Sequence, residues 1–100
     1  MVTQATVQGI RPSLSAIHEA QRFLAGYLTR TRLMPAHSLS RATGQHVYLK
    51  LETDLPTASF KVRGALYALS KNLQRTPIRE VVASSTGNHG AAVAYAANLL

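Results

Sequence analysis

The pattern of apolar and polar positions predicts a chain in which helices and strands alternate. Apolar residues three or four positions apart predict helices over residues 13–27, over residues 38–42, from Lys61 to the Thr76-Pro77 pair, and from residue 91 onward. Extended segments are predicted at residues 30–35, 46–52 and 80–84. The order strand, helix, strand, helix from His46 onward indicates an α/β fold, with parallel-sheet layers that carry helices on both faces.

Lys61 stands where the third predicted helix begins. Pro56 ends the strand-like run before it, and Thr57 and Ser59 are candidate N-caps. The first-turn N–H groups of a helix create a positive potential equivalent to roughly half a charge, which opposes an ammonium group and favours the neutral, nucleophilic amine. The alternative is a solvated surface lysine.

The helix that follows Lys61 has two different faces. Its apolar face carries Val62, Leu66, Leu69 and Leu73. The neighbouring face carries Lys61 itself and then the small residues Ala65 and Ala68. Small residues at this spacing leave room for a flat molecule beside the helix, or they mark close packing against another helix.

A turn rich in hydroxyl groups, Ser84-Ser85-Thr86-Gly87-Asn88-His89-Gly90, joins the last predicted strand to the last helix. Gly87 is free to adopt a positive φ angle, and the N–H groups that open the helix would complete a concave anion site. The spacing matches neither G-x-x-x-x-G-K-[ST] nor G-x-G-x-x-G, which favours a small carboxylate over a nucleotide. The alternative is a simple capping turn. Both this turn and Lys61 follow predicted strands, and ligand sites in parallel sheets form at such strand ends.

These two features together resemble the fold-type II pyridoxal-phosphate enzymes (tryptophan synthase β-like), most closely the serine/threonine dehydratase group. The matching residues are Leu49-Lys50-Leu51-Glu52, residues 56–65, residues 84–90, the following Ala94-Tyr95-Ala96-Ala97 and, more loosely, residues 29–44. The resemblance covers nearly the whole chain after its first dozen residues.

The resemblance implies a role for each matching site residue. Lys61 would hold pyridoxal 5′-phosphate as an internal aldimine and later move the proton at the substrate's α-carbon, with the cofactor ring as electron sink. Phe60 matches a residue close to that ring, and Asn88 matches the asparagine that hydrogen-bonds the cofactor's 3-oxygen. The substrate carboxylate would bind, largely through backbone N–H groups, to the loop of Ser85, Thr86, Gly87, Asn88 and His89.

Three departures from the family pattern bear on the reaction. Thr86 stands where related racemases commonly have a serine that acts on the face opposite the lysine, and its stiffer side chain favours elimination. Val62 stands where threonine synthases tend to have aspartate, which favours the dehydratases. Ala58 replaces a common glycine and leaves the turn less free.

The implied activity is a PLP-dependent ammonia-lyase that eliminates water from a 3-hydroxy amino acid of the threonine or serine type, giving a 2-oxo acid and ammonia. The alternatives are a racemase, a β-replacement enzyme or a non-catalytic fragment.

The length of the chain sets a limit on this function. The resembled enzymes have two domains and are much longer than these 100 residues. We therefore expect residues 1–52 to begin the large domain and residues 53–100 to begin the small domain. The glycine-rich loop for the cofactor phosphate and the partner of the pyridine nitrogen are expected beyond Leu100. The full-length enzyme is expected to be a homo-oligomer.

Composition narrows the remaining classes of protein. The net charge of +7 raises nucleic-acid binding as an alternative, but the eleven basic residues are mostly spread singly and do not alternate with aromatic residues. Attraction of an anionic substrate and of the cofactor phosphate accounts for the charge. No apolar run approaches a membrane span, residues 1–9 do not resemble a secretory signal, and the absence of cysteine is compatible with the cytoplasm. We predict no metal site, because His18, His37 and His46 lack paired ligand spacing and His89 is expected to pack and hydrogen-bond within the carboxylate loop.

Overall fold

The structure, a computed structural model, describes residues 11–100. Its first helix, α1 (Leu14–Ala25), begins as the sequence predicts, because the Ser13 hydroxyl accepts the N–H of Ala16 at 3.1 Å and so caps the helix. The helix ends at Gly26. Its Phe23 ring packs against Tyr67, with ring centroids 5.8 Å apart, which brings α1 against a later helix.

A small antiparallel sheet follows α1. Strands β1 (Leu33–Pro35) and β2 (Tyr48–Lys50) pair with Met34 opposite Leu49. Helix α2 (His37–Thr43) connects them and ends, as predicted, at Gly44, whose φ of 67° is readily adopted by glycine. The predicted strand at residues 46–52 is therefore present but shorter.

Two long helices carry most of the core. Helix α3 (Lys61–Arg75) follows two 3₁₀ turns, Glu52–Asp54 and Pro56–Ala58, and helix α4 (Asn88–Leu99) packs against it. The break predicted at Thr76-Pro77 is confirmed, because Thr76 is the C-cap of α3. The buried apolar side chains form one cluster, made of Leu28, Leu55, Val62, Leu66, Ala92 and Ala96.

The prediction of a strand at residues 80–84 is wrong. Residues 76–87 contain neither helix nor strand, and Val82 is 87% exposed. A strand is stabilised by hydrogen bonds to a neighbouring strand. Within residues 11–100, the only strands are the antiparallel pair β1 and β2, so the parallel-sheet layers are not observed in this part of the chain.

The expectation that residues 1–9 are not a secretory signal lies outside the described residues. Within the described part of the chain, no helix combines the length and the apolar character that crossing a bilayer requires.

Candidate active site

The backbone turns sharply just before Lys61. Thr57 and Ala58 both have positive φ angles, 67° and 53°, in a region where a residue with a Cβ atom is strained. Glycine would adopt the Ala58 conformation without this cost. The prediction that Ala58 leaves the turn less free than glycine is therefore supported by its backbone angle.

Helix α3 begins at Lys61, as predicted, but its cap differs from the prediction. Phe60 is the N-cap residue, and its side chain makes no capping hydrogen bond. The hydroxyl of buried Ser59 accepts the N–H of Lys61 at 3.2 Å. The Thr57 hydroxyl is buried and has no partner among the described residues, so only one of the two candidate caps contributes.

A groove of about 420 Å³ is lined by residues of α3 and α4 and runs along the small-residue face of α3. Lys61, Ala65 and Ala68 line it together, which confirms that they share a face. Gly64 and Asn72 also line it, although sequence reasoning missed both. Asn72 lies eleven residues after Lys61, about three helical turns, so the same periodicity could have identified it.

Three of the predicted site residues meet at this groove. Phe60, Lys61 and His89 line it, and the Lys61 amine lies 5.8 Å from the centroid of the Phe60 ring. Phe60 is 61% exposed. The exposed side chain of His89 projects from the first turn of α4 into the groove. The groove thus combines a lysine amine and an imidazole with largely apolar walls.

The remaining predicted residues lie beside the groove without lining it. Ser85, Thr86 and Gly87 form the turn that leads into α4, and Asn88 is the first residue of that helix. Gly87 does not use its freedom to adopt a positive φ angle, because its φ of −168° is extended and open to any residue. The turn is closed by the Ser85 hydroxyl, which accepts the N–H of Gly87 at 3.2 Å.

Gly90 fits closely against this turn. A Cβ atom at Gly90 would lie 3.3 Å from the Cβ of Ser85. The first turn of α4 and the hydroxyl turn therefore pack closely, and an added Cβ atom would require Ser85 to shift by a few tenths of an ångström. The N–H groups at the start of α4 lack partners within the helix, as in any helix, and favour an anion at that end.

A carboxylate that sequence reasoning did not assign holds the start of α3. Glu52 accepts hydrogen bonds from Arg63 Nε at 2.7 Å and from Thr31 Oγ1 at 2.8 Å. The hydrogen bonds from Arg63 hold the pKa of Glu52 below its ordinary value of 4.5, against a smaller opposing effect of burial. Glu52 lies within the matched Leu49-Lys50-Leu51-Glu52 run, but only the folded turn brings it to Arg63.

Comparison with protein families agrees with this arrangement. The family model described as "Pyridoxal-phosphate dependent enzyme" matches residues 24–100, which contain the groove, the hydroxyl turn and Glu52. The chain belongs to this pyridoxal-phosphate dependent enzyme family. The cofactor of the family is pyridoxal phosphate, and the family implies the fold-type II architecture.

Several curated proteins are similar in sequence to this chain. An L-threonine ammonia-lyase of Thermotoga maritima is 42% identical over 87% of this chain and 22% of its own length. An L-threo-3-hydroxyaspartate ammonia-lyase of a Pseudomonas species is 40% identical over 87% of this chain and 28% of its own length. A serine racemase of Bos taurus is 34% identical over 87% of this chain and 27% of its own length. The chain thus spans about a quarter of the length of these relatives, and no solved structure matches it significantly.

The residues of the groove fit the family's cofactor. A primary amine is the group that reacts with the cofactor aldehyde, and Lys61 supplies one at the groove. The wall formed by Gly64, Ala65 and Ala68 is small and apolar, and a Cβ atom at Gly64 would meet no atom within 4 Å. This open strip of α3 suits the face of a flat ring.

Proposed function

We propose that the whole protein is an ammonia-lyase that eliminates water from a 3-hydroxy amino acid and releases a 2-oxo acid and ammonia. The observation that carries the proposal is the position of Lys61 in the first turn of α3, beside a groove with a small-residue wall. The similarity of the chain to L-threonine and L-threo-3-hydroxyaspartate ammonia-lyases supports the reaction class.

Lys61 is the proposed catalytic residue. When bound, the cofactor withdraws electrons from the substrate's α-carbon and so acidifies the proton there. The Lys61 amine would hold the cofactor covalently and would also serve as the base that takes the proton from the substrate's α-carbon. The proposed cofactor-binding residues beside it are Phe60, near the ring, and Asn88, at the 3-oxygen.

The start of α4 is proposed to bind the substrate carboxylate. Ser85, Thr86, Gly87, Asn88 and His89 are the proposed residues. The donors are their hydroxyls and their backbone N–H groups, apart from the Gly87 N–H that already donates to Ser85. Two observations support this role, namely the twelve-residue helix behind them and the closed turn in which Ser85 accepts the Gly87 N–H. Because the Ser85 hydroxyl uses an acceptor position for that bond, its own proton stays available for a carboxylate.

Two residues favour elimination of water over the related reactions. Thr86 offers a hydroxyl on a β-branched side chain, which limits its rotation during proton transfer to a second face. Val62 is fully buried in the core, so an aspartate at this position, as in threonine synthases, would be a buried charge. Racemisation is the second candidate, because serine racemases are also similar to the chain and Thr86 retains a hydroxyl.

For the whole protein, we also propose the architecture expected from the family resemblance. Residues 1–52 would belong to a large domain and residues 53–100 to a small one, in parallel layers completed by other parts of the protein. A homo-oligomer and a cytoplasmic location stay predictions.

An assay of products tests the proposed reaction. The whole protein, supplied with pyridoxal phosphate, is incubated with L-threonine, L-serine or L-threo-3-hydroxyaspartate, and 2-oxo acid and the D-enantiomer are both quantified. We expect 2-oxo acid to exceed the D-enantiomer with at least one substrate. The D-enantiomer as main product would replace the lyase with a racemase, and no product from any substrate would contradict both.

A further inference from the structure

Glu52 is the centre of a partly buried network that joins three segments of the chain. Arg63 of α3 donates to it twice, from Nε at 2.7 Å and from Nη2 at 3.3 Å, and buried Thr31 donates to it at 2.8 Å. The side chains of Glu52 and Arg63 are 22% and 30% exposed. A carboxylate that accepts three hydrogen bonds, two of them from a planar guanidinium, has little freedom to move.

This network acts on the turn of α3 that contains Lys61. The segment before that turn gives it only one capping contact, the 3.2 Å hydrogen bond from the Lys61 N–H to the Ser59 hydroxyl, because the Phe60 side chain makes no cap. Two contacts remain on the sides of the turn, the burial of Val62 and the ion pair of Arg63.

The directions of these contacts follow from helical geometry. Consecutive residues of a helix project about 100° apart, since there are 3.6 residues per turn. Val62 projects into the core and Arg63 toward Glu52, so the turn is held on two sides. The third side presents Lys61 to the groove.

We propose that Glu52 is a positioning residue for Lys61. By holding Arg63, it fixes the rotation of the first turn of α3 and keeps the Lys61 amine at the groove, without touching cofactor or substrate itself. This proposal rests on the proposed function, in which Lys61 carries the cofactor. A displacement of about 1 Å in a reacting group can cost about 100-fold in rate, so the anchoring of this turn has consequences for Lys61.

A matched pair of variants of the whole protein tests this role. Glu52→Gln removes the charge that holds Arg63 at the first turn of α3. Glu19→Gln is the control, because it also removes a carboxylate that pairs with a cation of α3. That cation is Lys71, which lies ten residues beyond Lys61. The apo proteins are mixed with pyridoxal phosphate, and covalent capture is followed by the absorbance of the lysine-bound cofactor and by borohydride labelling of Lys61. Unfolding in urea is measured in parallel.

We expect Glu52→Gln to slow capture by about 10-fold and Glu19→Gln by less than about 2-fold, at equal fractions of folded protein. Arg63→Lys keeps a positive charge but loses the two-point contact, so it should slow capture as well. This variant replaces Glu52→Gln in the test if Glu52→Gln does not fold. Capture at the wild-type rate in folded Glu52→Gln or Arg63→Lys would overturn the positioning role, as would equal slowing in Glu19→Gln. A wild-type protein that captures cofactor at a different lysine would instead contradict the proposed function.

Discussion

Gly64 allows the groove to be tested separately from the stability of the fold. It lies within α3, lines the groove, and has open space where a Cβ atom would be. Gly64→Ala therefore removes a glycine from a helix interior without a clash. We expect the free energy of unfolding to rise by about 1 kcal/mol, which corresponds to a Tm increase of about 2–4 °C for a cooperative unit of about 150–250 residues.

Gly64→Leu keeps most of this helical gain but extends a side chain into the groove of about 420 Å³. A ring bound there would have to be displaced, or would be overpacked at a cost of about 1–3 kcal/mol. The Kd for pyridoxal phosphate should therefore rise by about 5- to 150-fold relative to Gly64→Ala.

Two measurements on the whole protein check both expectations. Thermal unfolding of the cofactor-free variants reports stability, and titration with pyridoxal phosphate reports affinity. Gly64→Ala is the control for Gly64→Leu, because the two share the loss of glycine and differ in side-chain size. Wild-type affinity in a folded Gly64→Leu variant would refute the assignment of the groove to the cofactor.

Four further substitutions, at three positions, test local features by urea or thermal unfolding. Ala58→Gly should change the free energy of unfolding by less than about 1 kcal/mol, because relief of the positive φ is offset by a more flexible unfolded chain. Ala58→Val should cost about 2 kcal/mol, and equal effects would contradict the strained turn. Hydrogen bonds from Arg32 lower the pKa of Asp54 from 3.8 to about 2, so ionised Asp54 stabilises the fold above pH 3.8 and this stabilisation is lost as the pH falls through about 2. In Asp54→Asn the loss of stability at low pH should be smaller, and a pH profile of Tm equal to that of the wild type would count against the ion pair. Gly90→Ala should gain less than the ordinary helical increment of about 1 kcal/mol, because its Cβ would crowd Ser85, and a full gain would argue against that contact.

Three helix boundaries were predictable because their signals are local, whereas α4 begins at Asn88, three residues before the predicted start. Ser13 caps α1 with its own hydroxyl, Gly44 ends α2 in the left-handed conformation, and Thr76-Pro77 ends α3. Each of these effects depends on residues within one helical turn. The sharing of one face by Lys61, Ala65 and Ala68 follows from the helical period alone.

The features that the sequence did not reveal depend on distant partners. The apolar run at residues 80–84 has a strand's composition, but pairing requires a neighbouring strand that the described residues do not provide. The bond between Glu52 and Arg63 spans eleven positions, and the chain between them contains the strained turn at Thr57 and Ala58. The position of His89 at the groove likewise depends on a distant partner, because α4 brings it there by packing against α3.

The central claim is that Lys61 carries the cofactor, and reductive labelling tests it most directly. The whole protein is incubated with pyridoxal phosphate, reduced with borohydride and digested, and the labelled peptide is sequenced. The account predicts the label on Lys61, with none in Lys61→Ala. Label on Lys50, Lys71 or a lysine elsewhere in the protein, retained in Lys61→Ala, would contradict it.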